Sequence, residues 1–231
     1  MNVSFENKFI WWAAPRCASR QTASILGPFK FWQYYPDAER REGLLYNQFE
    51  DPENPNAHNL SPFTHNADIP EGIDPNDFDL IINIRNPYSW VVSCWHAEFN
   101  DLMSNPEAEP ISLEEFLLSR RVEWWTNQED TTDLQAQKYN ITPKYLIRFE
   151  NYMDSILSIP FVADKIDHPV VQSWIDNTKN VSKELSYRQT YRPEYQKMDY
   201  RELYNQKLAD MVWEHKKGYF EYFGYDRNSW K

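Results

Sequence analysis

Phe9–Ala14 (FIWWAA) is an unbroken apolar run, the pattern of a strand buried on both faces. Pro15-Arg16-Cys17-Ala18 follows as a turn, and Ser19–Leu26 predicts a helix closed by Gly27-Pro28. Phe31–Tyr35 predicts a further strand. Residues 36–78 are rich in Pro, Asn, Asp and Glu and show no period, so a long irregular excursion is expected there. Asp79–Arg85 (DLIINIR) repeats the buried-strand pattern. Asn86 then reads as an N-cap with Pro87 at the first helical position. From there an apolar stripe (Tyr88, Val91, Val92, Trp95, Phe99, Leu102) and a polar stripe (Ser89, Ser93, His96, Asn100) predict a helix to about Met103. Ser112-x-x-Glu115 is a capping box, with Ile111 and Phe116 placed as its hydrophobic staple, and the helix is expected to run to about Trp125. Lys144–Phe149 predicts a third strand, Glu150–Ile159 a following helix, and 169–177 a helical segment. Residues 178–197 are polar, basic and aromatic without a period. A last helix is expected over about 199–222, with Tyr204, Leu208, Met211, Val212, His215 and Tyr219 on one face.

Buried strands alternating with helices predict an α/β fold: a single domain over 1–231 with a mainly parallel central sheet flanked by helices. In such sheets ligands bind at the carboxyl ends of the strands. Composition agrees, since 41% hydrophobic and 16% aromatic residues suffice for a core. Charge narrows the partners. With 24 Lys+Arg against 35 Asp+Glu the net charge is −11, the opposite of a general nucleic-acid binder. An anionic ligand would need a local basic site working against that field. Two cysteines, Cys17 and Cys94, make no disulfide framework and suit a reducing compartment; they read as small fillers. The first apolar run is too short for a signal or membrane helix, so a cytoplasmic location without membrane insertion is expected. The five histidines (58, 65, 96, 168, 215) form no ligand-spaced cluster, and no metal site is expected. Only five glycines occur, and no placement of them gives G-x-G-x-x-G or G-x-x-x-x-G-K-[ST], so both glycine-dependent phosphate loops are excluded.

Two strand-to-helix handovers remain as candidate anion sites. In Pro15–Gln21 (PRCASRQ), helix-start amides and the positive end of the helix dipole would converge, the small Ala18 and Ser19 would let the backbone approach, and Arg16 and Arg20 would add charge. A plain βα turn with two surface arginines would use the same residues. In Arg85-Asn86-Pro87-x5-Ser93, an arginine ends a strand and a hydroxyl follows two turns along the helix, which suits a second phosphate.

Taken together, these motifs resemble those of the sulfotransferases that use 3′-phosphoadenosine 5′-phosphosulfate. Pro15-Arg16-Cys17-Ala18-Ser19-Arg20 is similar to their P-[KR]-[ST]-[GA]-[ST]-T loop, which binds the 5′-phosphosulfate. Arg85-Asn86-Pro87 with Ser93 is similar to their R-[ND]-P-x5-S, which binds the 3′-phosphate. Tyr145–Ile156 looks like the family strand ending in [YF]-E, with Phe149 where an aromatic contacts the adenine. Asn180–Tyr191 resembles the late loop that returns basic residues to the 3′-phosphate, which implicates Lys183, Tyr187 and Arg188. Val212–Asp226 resembles the final helix and its F-G-Y-D ending. The likeness spans most of the chain but leaves 30–60 and 104–140 unaccounted for.

The resemblance implies a P-loop-like sulfotransferase architecture and transfer of a sulfuryl group to a hydroxyl of a carbohydrate or small molecule, with no metal required. Arg16, Cys17, Ala18, Ser19, Arg20 and Gln21 would hold the phosphosulfate, with Arg16 also catalytic. Thr64-His65 stands 20 residues before Arg85, where family members carry the base that deprotonates the acceptor. An imidazole suits that task because it titrates near neutrality; His96 is an alternative base. The chain departs from the family at Cys17 and Arg20, which replace small or hydroxyl residues, and at Arg16, where many members carry Lys. Arginine cannot act as an acid, so its help to the leaving group would be electrostatic. Segments 36–78 and 104–140 are expected to shape the acceptor pocket. A non-catalytic nucleotide- or glycan-binding protein on the same scaffold and a P-loop-type kinase are the alternatives.

Overall fold

Short apolar runs become strands here because both of their faces are covered. The computed structural model describes residues 2–14, 16–26, 29, 32–33, 73–103, 111–119, 140–169, 171–173, 175–176 and 199–231. The chain divides into two compact units, Met1–Ile84 with Thr131–Thr178, and Arg85–Asp130 with Lys179–Lys231.

The first unit holds a five-stranded sheet of β1 (Asn2–Ser4), β2 (Phe9–Trp12), β3 (Trp32–Gln33), β4 (Asp79–Ile84) and β5 (Tyr145–Arg148), ordered β3-β1-β2-β4-β5. Strands β2, β4 and β5 are parallel, with Trp11 opposite Ile81 and Ile82 opposite Leu146. β1 runs antiparallel to β2 and to β3, so the parallel sheet expected from the sequence carries an antiparallel edge. Residues 5–8 join β1 to β2 as a hairpin turn, with Lys8 at φ 53. Alternation sends Phe9, Trp11, Ile81 and Ile147 to one face, where they pack with Ala23, Ile25 and Leu26 of α1 (Ser19–Leu26) and with Phe29. Tyr152 and Ile156 of α4 (Tyr152–Leu157) and Val162 of α5 (Pro160–Ala163) complete that core. Ile10, Trp12, Leu80, Ile82 and Ile84 point the other way and are also buried, which explains why these strands lack polar alternation. The helix expected from Glu150 begins two residues later, at Tyr152, after a 3-10 turn over Phe149–Asn151. Residues 169, 171–173 and 175–176 are helical.

The second unit contains α2 (Pro87–Met103), α3 (Leu113–Leu118), a 3-10 turn over Tyr200–Leu203 and α6 (Gln206–Phe223). Tyr88 joins its layers, edge-on to Tyr204 at 5.2 Å and to Phe220 at 5.1 Å between ring centroids. The Ser112–Glu115 capping box forms, but the helix expected to reach Trp125 stops at Leu118. The reason is local: the amide and hydroxyl of Ser119 both donate to the Phe116 carbonyl, and the backbone turns extended. α6 kinks at Lys216, which is buried with Nζ 4.7 Å from the centroid of Trp90. It ends at Gly224, whose φ of 70 needs a residue without a Cβ penalty. Among the described residues no helix is long and apolar enough to cross a membrane, and no group of His, Cys, Asp and Glu is placed to hold a metal ion.

Candidate functional site

Immediately after β2, the chain takes a backbone path that side-chain-bearing residues seldom adopt. Arg16 has φ 63 and Ala18 has φ 62, while the intervening Cys17 stays at negative φ. Alternating signs of this kind turn successive amide N–H groups toward one point and form an anion-receiving concavity. Each left-handed position costs about 1–2 kcal/mol for a residue with a Cβ. The Thr22 amide closes the first turn of α1 on the Ala18 carbonyl at 3.0 Å, so Ala18 is the N-cap. Alanine offers no side-chain acceptor to the first amides of α1, which have no partner inside a helix. Other helix starts contrast with it. Asn86 Oδ1 accepts from the Tyr88 amide at 3.0 Å, Ser112 Oγ from the Glu115 amide at 3.1 Å and Asn205 Oδ1 from the Leu208 amide at 3.0 Å.

A buried polar network in the same unit holds this path. Trp11 Nε1 donates to Asn83 Oδ1 at 2.6 Å; indole is donor-only, so this bond fixes which way round the amide sits. Asn83 Nδ2 then donates to the Cys17 carbonyl at 3.0 Å and to Thr22 Oγ1 at 2.8 Å. Thr22 Oγ1 donates to the Ala18 carbonyl at 3.2 Å. With its single proton used there, it accepts from Tyr152 Oη, 3.1 Å away. Trp11, Asn83, Thr22 and Cys17 are fully buried. Burial pushes the Tyr152 hydroxyl above its ordinary pKa and keeps it protonated. Every hydrogen-bonding atom of the Asn83 amide is thus engaged, as a buried amide requires. Sequence reading missed Asn83; the available signal was one amide inside the apolar run DLIINI.

Ser19 and Cys17 are buried, and Arg16, Ala18 and Gln21 are half-buried, while Arg20 follows within α1. Phe149 is exposed at the carboxyl end of β5. It shares that edge of the sheet with the β2 loop, two strand spacings or about 10 Å across.

In the second unit, Arg85 precedes α2, and its Nε donates to Ser89 Oγ at 2.9 Å. Its backbone amide donates to Tyr219 Oη at 3.2 Å. Asn86 serves twice, capping α2 through Oδ1 and donating from Nδ2 to Ser229 Oγ at 2.8 Å. The Tyr88 hydroxyl donates to the Arg227 carbonyl at 2.5 Å, so the chain's last residues tie down the start of α2. Ser93 is half-buried one turn beyond Ser89, and His96 is half-buried with its ring 4.9 Å from that of Trp95. Cys94 is buried, which fits a filler. His65, Lys183, Tyr187 and Arg188, along with Pro15, lie outside the described residues.

Comparison with known proteins found no matching family model, no matching curated protein and no matching solved structure.

Proposed function

We propose that this chain is a sulfotransferase that moves the sulfuryl group of 3′-phosphoadenosine 5′-phosphosulfate to a hydroxyl of a carbohydrate or small molecule. The observation that carries the reading is the start of α1: alternating backbone signs at Arg16, Cys17 and Ala18, an alanine N-cap, and an arginine beside it. Such a loop suits an anion and reaches it without glycine. The Arg85-Asn86-Pro87 handover adds support, with a capped helix and an arginine held by hydroxyls.

In this reading the loop amides and Arg16 bind the 5′-phosphosulfate and neutralise charge that grows on the bridging phosphate oxygen. Arg16 keeps its proton throughout and acts by charge alone. The donor supplies a sulfuryl group whose bond to the 5′-phosphate breaks as the acceptor oxygen bonds to sulfur, leaving adenosine 3′,5′-bisphosphate. His65 takes the acceptor proton. Arg85 and Ser93, with one or more of Lys183, Tyr187 and Arg188, grip the 3′-phosphate and orient the donor without changing during reaction. Phe149 stacks on the adenine.

Two measurements test the proposal. Thermal melting with adenosine 3′,5′-bisphosphate, set against ATP with Mg²⁺, is expected to show stabilisation by the bisphosphate. Stabilisation by ATP with Mg²⁺ alone would overturn the reading in favour of a kinase-like enzyme. A mass-shift sulfation assay against pooled glycan, phenol, lipid and peptide acceptors then asks for catalysis. Bisphosphate binding without transfer to any pool would favour a non-catalytic binding protein.

A further inference from the structure

We propose that residues 226–231 form a latch that opens and closes as one body on the start of α2 and, when closed, holds the first turn of that helix in place. The proposal is independent of the transfer reaction proposed above. The latch follows a hinge. Gly224 takes φ 70, and the amides of Gly224 and Tyr225 both donate to the Phe220 carbonyl, so α6 is closed off before the latch begins. Beyond that point the chain folds on itself. The Asn228 amide donates to Asp226 Oδ1 at 2.8 Å. The Ser229 amide and hydroxyl donate to the Asp226 carbonyl at 3.0 and 2.7 Å, and the Lys231 amide to the Asn228 carbonyl at 3.0 Å. The outward contacts are polar. Asn86 Nδ2 donates to Ser229 Oγ, the Tyr88 hydroxyl to the Arg227 carbonyl, and the Tyr200 hydroxyl to the Ser229 carbonyl at 3.0 Å. Arg227 pairs with Asp210 of α6 at 2.9 Å, its guanidinium 5.1 Å from the centroid of Trp213. Asp226, Arg227, Asn228 and Lys231 are exposed and Ser229 and Trp230 half-buried, so no latch residue is buried. A segment held by hydrogen bonds and one exposed ion pair, without a buried apolar side chain, belongs to the low-stability end of a fold and opens locally. Two of its bonds reach the start of α2. The Ser229 proton is used on the Asp226 carbonyl, so a lone pair faces Asn86 Nδ2. With Oδ1 on the Tyr88 amide and Nδ2 on Ser229, the Asn86 side chain is fixed at both ends. Burial pushes the Tyr88 hydroxyl up to a pKa of about 12, which keeps it a donor to Arg227. Opening the latch releases the N-cap amide and the Tyr88 hydroxyl together. Whatever holds or frees residues 226–231 thereby sets the order of the handover at Asn86.

Native-state hydrogen exchange of the full chain, followed by NMR at neutral pH, tests this. In the wild type the Ser229 and Lys231 amides are expected to exchange faster than those at 208–212 in α6. Ser229→Ala removes the acceptor of Asn86 Nδ2 and leaves Asn86 Oδ1 on the Tyr88 amide. It is expected to speed exchange about tenfold, the scale of one hydrogen bond, at residues 229 and 231. The same acceleration is expected at Tyr88 and Trp90, whose amides bond to Asn86, with 208–212 and β4 unchanged. Ser229→Thr, which keeps the hydroxyl, is expected to restore the wild-type rates. Tyr88→Phe touches no bond inside the latch and keeps the ring against Tyr204 and Phe220; it is expected to give the pattern of Ser229→Ala. Acceleration confined to the latch, acceleration spread evenly over the chain, or unchanged exchange at both places overturns the proposal.

Discussion

Replacing Asn83 with alanine is expected to destabilise the protein by about 4 kcal/mol. The side chain is fully buried and makes three hydrogen bonds, to Trp11, Cys17 and Thr22. Truncation removes this partner from the fully buried Trp11 N–H and Cys17 carbonyl, at about 1–3 kcal/mol each. Thr22 loses a donor but keeps Tyr152 and the Ala18 carbonyl. Against a total stability of about 5–15 kcal/mol, that is a large fraction. Urea unfolding followed by far-ultraviolet circular dichroism at neutral pH measures it. Asn83→Asp separates the two halves of the amide. It keeps an acceptor for Trp11 but turns an oxygen toward the Cys17 carbonyl and Thr22, so it is expected to cost at least as much at neutral pH. The introduced carboxyl is disfavoured in its charged form there, so its folded pKa is raised and acidification recovers part of the loss. A double-mutant cycle with Thr22→Val is expected to depart from additivity by more than about 0.5 kcal/mol. A cost below about 1 kcal/mol for Asn83→Ala, or strict additivity in the cycle, would refute the view that this network acts as a unit to hold the loop.

Arg85→Ala is expected to weaken binding of adenosine 3′,5′-bisphosphate by about 2–5 kcal/mol in calorimetry, and unchanged affinity would remove Arg85 from the site. His65→Ala is expected to lower turnover in the sulfation assay while donor affinity holds; intact turnover would shift the base to His96 or a carboxylate. The Ser112 amide and hydroxyl bonds hold the Glu115 carboxyl below its usual pKa. A depressed carboxylate stabilises the fold above its unfolded pKa and loses that contribution as pH falls through the folded value. The urea-midpoint difference between wild type and Glu115→Gln should therefore be constant near neutrality and close on acidification below the ordinary glutamate range; a difference that widens would refute the capping-box assignment.

Much of the architecture was legible because local rules and tertiary context agreed. The run FIWWAA became β2, Ser19–Leu26 became α1 with the same bounds, and Asn86-Pro87 began α2 as a capped helix. Where they disagreed, a local event won. The helix expected after Ser112 to reach about Trp125 ends at Leu118, where Ser119 folds back on Phe116. β1 escaped sequence reading because Asn-Val-Ser offers one apolar residue. It exists through its pairing with β2 and β3 and through side-chain bonds, Asn2 Nδ2 to the Trp11 carbonyl and Ser4 Oγ to the Phe29 carbonyl. In the candidate site, Arg85 was visible at the end of an apolar run, whereas its partner Ser89 blended into a polar helix stripe. Asn83 was invisible in a different way, since its function depends on Trp11, Thr22 and Tyr152, the last of them 69 residues along the chain.

By itself the amino-acid sequence determined which segments bury, where two of the helices are capped, and that neither glycine-dependent phosphate loop can form. Those properties follow from side-chain chemistry within a few residues. Only the tertiary structure decided how a glycine-poor loop takes its shape. The left-handed backbone at Arg16 and Ala18 is disfavoured locally for any residue with a Cβ, so no local rule predicts it. It persists because Asn83, on a neighbouring strand, holds the Cys17 carbonyl and Thr22 in a fully buried network.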